Sequence, residues 1–260
     1  MSYDKIAYTV EDGVASIRLN DPDTLNAFTL PMLEQLLDAL RKAPQEARAV
    51  LLSGEGRGFG AGASLVGRDM DMTASERDLG AMIASHYNPM AKAIRDLEIP
   101  IVTAVRGPAA GAACALALMG DVIIASDTAY FYQAFRNIAL VPDAGSTYLL
   151  TRAVGRVRAM QMMMLGEKIP AATALDWGLV TRVVADDVLD AEALALASEL
   201  ANGPKALGMI RRQAWDALDQ DFDTSLESER INQRAAGQTS DFVAGVMAFL
   251  QKQKPTFTGN

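Results

Sequence analysis

The chain has 260 residues, half of them hydrophobic and 22% charged, with a formal net charge of −8. That length and apolar content suffice for one large core or a core with an appendage, and the acidic balance argues against a nucleic-acid or anionic-membrane surface. A single cysteine forbids an internal disulfide, and one histidine beside it leaves too few soft ligands for a zinc site.

No basic stretch followed by an apolar one opens the sequence, so no secretory leader is read there, and no apolar run reaches a membrane-spanning length. A cytoplasmic protein is expected. Residues 6–10 and 14–19 read as strands around Asp12-Gly13, a hairpin signal. A helix is predicted from Leu30, with Thr29 as N-cap, Pro31 in the first turn and Leu33, Leu36, Leu37 and Leu40 on one face. A short strand over 49–53 leads into Gly58-Phe59-Gly60-Ala61-Gly62-Ala63-Ser64-Leu65. A polar stretch, 68–75, precedes a helix running to Asp96. A strand over 99–105 then leads into Gly107-Pro108-Ala109-Ala110-Gly111-Ala112-Ala113-Cys114-Ala115. A short helix over 112–119 and a strand over 121–125 follow. Beyond residue 145, helices are predicted over 145–154, 157–165, 171–177, 189–201, 204–218 and 240–251, with one strand near 179–184. The repeated strand, small-residue turn and helix argue for an α/β fold, divided into a core over 1–195 and a helical region over 196–260.

The two glycine/alanine segments carry the chemistry. Small side chains around backbone N–H groups allow main-chain donors to reach a ligand oxygen, and two such donors aimed at one carbonyl make an oxyanion hole. Residues 56–65 and 100–115 resemble the first two motifs of the enoyl-CoA hydratase/isomerase (crotonase) superfamily. Residues 120–125, 138–147, 150–155, 175–180 and 249–257 continue the likeness in order and spacing, nearly end to end. The resemblance implies a crotonase-like spiral of ββα units with a C-terminal helical trimerisation region. It implies an acyl-CoA thioester substrate, a homotrimer or a hexamer built as a dimer of trimers, and no cofactor beyond the CoA of the substrate. Carried over by position, the oxyanion donors are the N–H groups of Ala63 and Ala112. Leu25, Ala27, Ala61, Gly62, Leu65, Gly111 and Phe135 would line the CoA and acyl site, joined by Lys254 and Phe257 of the C-terminal segment.

The acid/base residues set this chain apart. The family's hydratases use two glutamates, and by position these fall on Ala115 and Phe135, which cannot transfer protons. A carboxylate stands instead at Asp143, where a subset of the family carries its acid/base aspartate; the likeness leans towards isomerases of phenylacetate breakdown. General acid–base catalysis needs one group that takes a proton and returns it, and the apolar run 138–141 beside Asp143 would raise its pKa by desolvation. The plainer reading makes Asp143 an N-cap for the helix from Gly145. The expected activity is isomerisation through a thioester enolate; the alternatives are an enoyl-CoA hydratase and a non-catalytic acyl-CoA-binding protein. Phe131, Tyr132 and Phe135, with residues 66–87, are expected to line the acyl pocket. Ser64 replaces the aspartate usual in the first motif. His86 reads as an ordinary helix residue, Met160 and Met162–Met164 as packing, and Arg136 as a structural charge.

Overall fold

Residues 3–64 and 78–260 are described by the computed structural model; Leu65, the stretch 68–75 and most of the expected acyl-pocket segment fall outside them. Strands β1 (Ile6–Glu11) and β2 (Val14–Leu19) pair antiparallel, with Glu11 opposite Val14. Asp12 and Gly13 between them take φ of 48° and 78°, the doubly left-handed two-residue turn that matches strand twist. Helix α1 (Leu30–Glu46) is capped by Thr29, whose side chain accepts from the Met32 N–H, and it buries Met32, Leu33, Leu36, Ala39, Leu40 and Ala43.

Strand β3 (Ala49–Gly54) is buried along its whole length. Helix α2 (Leu79–Met82), a π-helical turn (Ile83–Tyr87) and α3 (Asn88–Arg95) run on without a break. Strand β4 (Ile101–Val105), β5 (Pro108–Ala110), α4 (Ala112–Ala117), β6 (Val122–Ser126) and β7 (Tyr130–Tyr132) follow. After a 3-10 turn (Ala134–Ile138) come α5 (Ser146–Ala153), α6 (Gly155–Met160) and a second π turn (Gln161–Leu165). Then come β8 (Lys168–Pro170), α7 (Ala171–Asp176), β9 (Arg182–Val184) and α8 (Leu189–Ala201).

The main sheet has the order β1-β2-β3-β4-β6-β9 and is parallel after its opening hairpin. Its two faces fill two cores, and the alternation of β3 shows why its run is continuously apolar. Val50 and Leu52 join the large core with α1, α3 and α4, whereas Ala49 and Leu51 face Leu189, Ala193, Ala197 and Ala201 of α8. A parallel sheet covered on both faces needs apolar side chains at every position. A second sheet, β5-β7-β8, was not expected. Each of its strands has three residues, and Pro108-Ala109-Ala110 has no β signal of its own. The expected division after residue 195 falls inside α8, whose Ala197 and Ala201 still pack on the sheet.

Beyond α8 lie α9 (Ala206–Asp216), α10 (Phe222–Ala236) and α11 (Ser240–Leu250). Helix α10 also escaped the sequence, because none of its residues is buried and no apolar stripe marks it. Among the described residues no helix is long and apolar enough to cross a membrane. The C-terminal tail folds back on α11 through Asp241, whose carboxylate accepts from the N–H groups of Lys205, Thr258 and Gly259. Burial raises the Asp241 pKa, but these N–H groups and Arg48 outweigh it and hold it below the ordinary range.

The helical region is tied to the core by one buried guanidinium. Arg211 of α9 pairs with Asp121 at 2.8 Å and donates to the carbonyls of Ile94, Arg95 and Leu97, ending α3. Arg211→Ala strands Asp121 and those carbonyls in a poorly hydrated site. It is expected to destabilise the protein by about 3–5 kcal/mol, read as a lower midpoint in urea unfolding.

Candidate active site

The two small-residue segments lie side by side. The Phe59 N–H donates to the Arg106 carbonyl, the Gly60 N–H to that of Pro108, and the Ala110 N–H returns to Gly60 at 2.9 Å. Gly60 and Ala109 form a parallel bridge. The loop before α1 runs along the other edge. Here the Ala61 N–H donates to the Leu25 carbonyl, the Phe28 N–H to Gly62, and the Ser64 N–H to Phe28.

At the junction stand Gly62 and Gly111. Gly62 has φ of 85°, and a methyl group on it would lie 2.6 Å from the Ala110 oxygen and 3.5 Å from the Ala112 nitrogen. Gly111 has φ of 54° and ψ of −127°, a region open only to glycine, and its own N–H is held by the Tyr132 carbonyl. The next residue after each glycine is the expected donor. Ala63 and Ala112 have N–H groups with no partner among the described residues. Ala112 is the first residue of α4, where such a group is left over by helix geometry, because the Gly111 carbonyl takes the Cys114 and Ala115 N–H groups. The arrangement is two backbone donors side by side, walled by alanine and glycine.

Around the donors the walls are apolar. Ala115 is fully buried in α4. Phe135 sits over the junction, its ring edge 3.8 Å from where a Gly111 methyl would be. Asp143 is half-buried in the loop before α5, and α5 packs on α4. Its backbone carbonyl accepts from the Ser146 N–H at 2.9 Å, but the N-cap of α5 is Gly145, so the capping seat expected for Asp143 belongs to the residue two positions on. Ala139, Ala144 and Gly145 all have positive φ, and Ala144 is buried. Three left-handed residues in seven form a tightly specified loop around Asp143. The flank expected to desolvate it is different: Ile138, Leu140 and Val141 are exposed in the single chain.

Of the other expected residues, Leu25 and Ala27 are half-buried beside the first segment, and the Leu25 side chain reaches to 3.4 Å of where a Gly58 methyl would be. Lys254 is exposed, and Phe257 lies on its own chain's α11, its ring 3.5 Å from where a Gly245 methyl would be. The three aromatics expected in the acyl pocket do not share a face. Strand alternation sends Phe131 into the core, while Tyr132 points the other way, towards the Lys168 ammonium and Asn137. His86 shares a hydrogen bond with Ser85, and Arg136 donates to the Leu165 carbonyl, both as expected of plain helix and loop contacts. Met162 is fully buried, whereas Met160 and Met164 are exposed.

Two buried polar residues beside the site went unread in the sequence. Asn26 is wholly enclosed; only its place in a short loop before a helix hinted at a turn role. Gln133 lies against the thiol of Cys114, whose pKa burial pushes up to about 12.

Known proteins resemble this chain over nearly its whole length. The family model described as enoyl-CoA hydratase/isomerase matches residues 9–260. The chain is 42% identical over 253 residues to 1,2-epoxyphenylacetyl-CoA isomerase of Escherichia coli K12, covering 96% of this chain and 97% of that one. It is 41% identical, over the full length of both, to a probable enoyl-CoA hydratase of Rhodobacter capsulatus. A crystal structure of a putative enoyl-CoA hydratase/isomerase from Mycobacterium abscessus superposes with a TM-score of 0.90 at 35% identity, covering 98% of this chain and all of that one.

The junction glycine offers a direct check. Gly62→Ala forces a side chain into positive φ and against the Ala110 oxygen, displacing the Ala63 N–H. Because one preorganised donor is worth about 10²–10³ in kcat, turnover of a CoA thioester should fall by about that factor. Far-UV circular dichroism should be unchanged.

Proposed function

The chain belongs to the enoyl-CoA hydratase/isomerase family, and from that premise we propose that it is an acyl-CoA isomerase working through a thioester enolate. The observation that carries this reading is the pair of N–H groups at Ala63 and Ala112, without partners among the described residues, near Ala115 and Phe135, which hold no carboxylate. In the proposed reaction, the Asp143 carboxylate removes a proton α or γ to the thioester carbonyl. The electron pair moves onto the carbonyl oxygen, where the two N–H groups stabilise it. The protonated Asp143 then delivers its proton to a different carbon, the enolate collapses, and a double bond or ring has been moved with no net change in composition. The carboxylate is regenerated, so the cycle needs no cofactor beyond the CoA carried by the substrate.

Hydration of an enoyl-CoA is the second reading, favoured by the names of several relatives. It requires a group to activate water, and Asp143 is the carboxylate proposed for that in either case. Leu25, Ala27, Ala61, Gly62, Leu65, Gly111 and Phe135 are proposed to contact the thioester or its pantetheine, with Lys254 and Phe257 reaching CoA in an assembly. A homotrimer, or a dimer of trimers, is proposed for that assembly; the exposed Phe222, Leu226, Phe242, Phe249 and Leu250 of the helical region support burial against another copy. The reaction is proposed to run in the cytoplasm.

The conjugated thioester chromophore separates the readings. A 3-enoyl-CoA should gain absorbance as the bond moves into conjugation, while a trans-2-enoyl-CoA should lose little to hydration. Asp143→Asn should cut the isomerase kcat by about 10²- to 10⁴-fold while thioester binding survives. Faster hydration than isomerisation favours the hydratase; no turnover on enoyl-, dienoyl- and epoxyphenylacetyl-CoA favours a binding protein.

A further inference from the structure

We infer that Asn26 is a positioning residue for the Ala63 donor, acting through the carbonyls of the loop that carries it. Asn26 is fully buried and sits at φ of 54°, a left-handed conformation that asparagine tolerates better than most residues. Its backbone N–H is fixed by the Asp21 carbonyl at 2.8 Å, and its side-chain oxygen accepts the Asp21 N–H, also at 2.8 Å. The amide nitrogen is thereby turned towards the first glycine segment, where it meets the carbonyls of Glu55 at 3.0 Å, Gly58 at 2.8 Å and Phe59 at 3.4 Å.

These three carbonyls mark the turn between β3 and the oxyanion segment. The residues on either side of Asn26 hold the far end of that segment, Leu25 binding Ala61, and Phe28 binding Gly62 and Ser64. One amide thus fixes the start of the loop against the rail on which its end lies, and Ala63 is at that end. Without it, the two buried carbonyls of Gly58 and Phe59 and the half-buried one of Glu55 lose this donor, and the segment can shift relative to α4. An oxyanion donor displaced by a fraction of an ångström loses most of its effect on the transition state while the thioester still binds. The inference rests on the reading of Ala63 as a donor to the thioester oxygen.

Asn26→Gly is the variant of choice, because glycine adopts the same backbone conformation without strain and removes only the side chain. Hexadienoyl-CoA, a conjugated thioester, serves as the probe. Bound to the unaltered protein, it should show a red-shifted absorbance from polarisation of its carbonyl. In Asn26→Gly that shift should shrink and kcat fall by about 10- to 100-fold, with KM changed by no more than about threefold. Asn26→Ser, which returns one donor, should recover part of both, and it is read alone if the glycine variant does not fold. Thr24→Val, which loosens the same turn through the Asp21 carbonyl and the Ala27 N–H, should leave shift and kcat close to normal. A full shift and normal kcat in folded Asn26→Gly or Asn26→Ser overturns the inference and leaves the oxyanion hole standing. So does an equal loss in Thr24→Val. No shift in the unaltered protein overturns both.

Discussion

Between Gly60 and Ala109 two stretches of backbone approach as strands do, although about fifty residues of chain, including strand β4 of the main sheet, separate them. The approach is possible because each side presents glycine or alanine: a methyl group on Gly60 would come within 2.7 Å of the Ala113 side chain. Everything at the site depends on that contact. It brings the residue after Gly62 beside the residue after Gly111, and it spends the neighbouring N–H and carbonyl groups on one another. Among the described residues the Ala63 and Ala112 N–H groups are left without partners. Their directionality comes from the backbone, so no side-chain rotamer has to be frozen when a thioester arrives, and the entropic cost of ordering them was met when the chain folded.

Chemistry is layered on this frame by a few side chains from elsewhere. Ala115 and Phe135 bring no charge to the neighbourhood of the Ala63 and Ala112 N–H groups, and in the proposed reaction such apolar surroundings would strengthen the interaction of an enolate oxygen with the N–H dipoles. The loop bearing Asp143 is held by left-handed residues at Ala139, Ala144 and Gly145 rather than by a side-chain cap. Strain of this kind persists only where surrounding packing specifies it, and burial of Ala144 against the core supplies that packing here.

Much of the architecture was legible in the sequence because strong local signals agreed with the final packing. Asp12-Gly13 made its hairpin, Thr29 its cap, and the apolar runs of β3, β4 and β6 their buried parallel strands. The close approach of the small-residue segments was legible too, and so was the family likeness they carry. What stayed hidden was structure made by partners. Strand β5 is Pro-Ala-Ala, and it is a strand because Tyr130–Tyr132 and Gly60 flank it. Helix α10 has no apolar stripe, because it packs on α9 without fully burying any of its residues. Phe131 and Tyr132 were grouped by chemistry, when their alternation along a strand already assigned them to opposite faces. Asn26 gave no sign of its four hydrogen-bond partners, since three of them lie about thirty residues away.

Cys114 lies in the first turn of α4, two residues beyond Ala112, sealed from solvent and with its thiol ionisation suppressed. A thiolate-seeking reagent can reach it only when the packing around α4, which includes Tyr132 and Gln133, opens. The alkylation rate of this one sulfur therefore counts openings of the packing around the helix that begins at Ala112. It converts a question about the permanence of a backbone arrangement into a time course, with the chain's single cysteine as an unambiguous reporter.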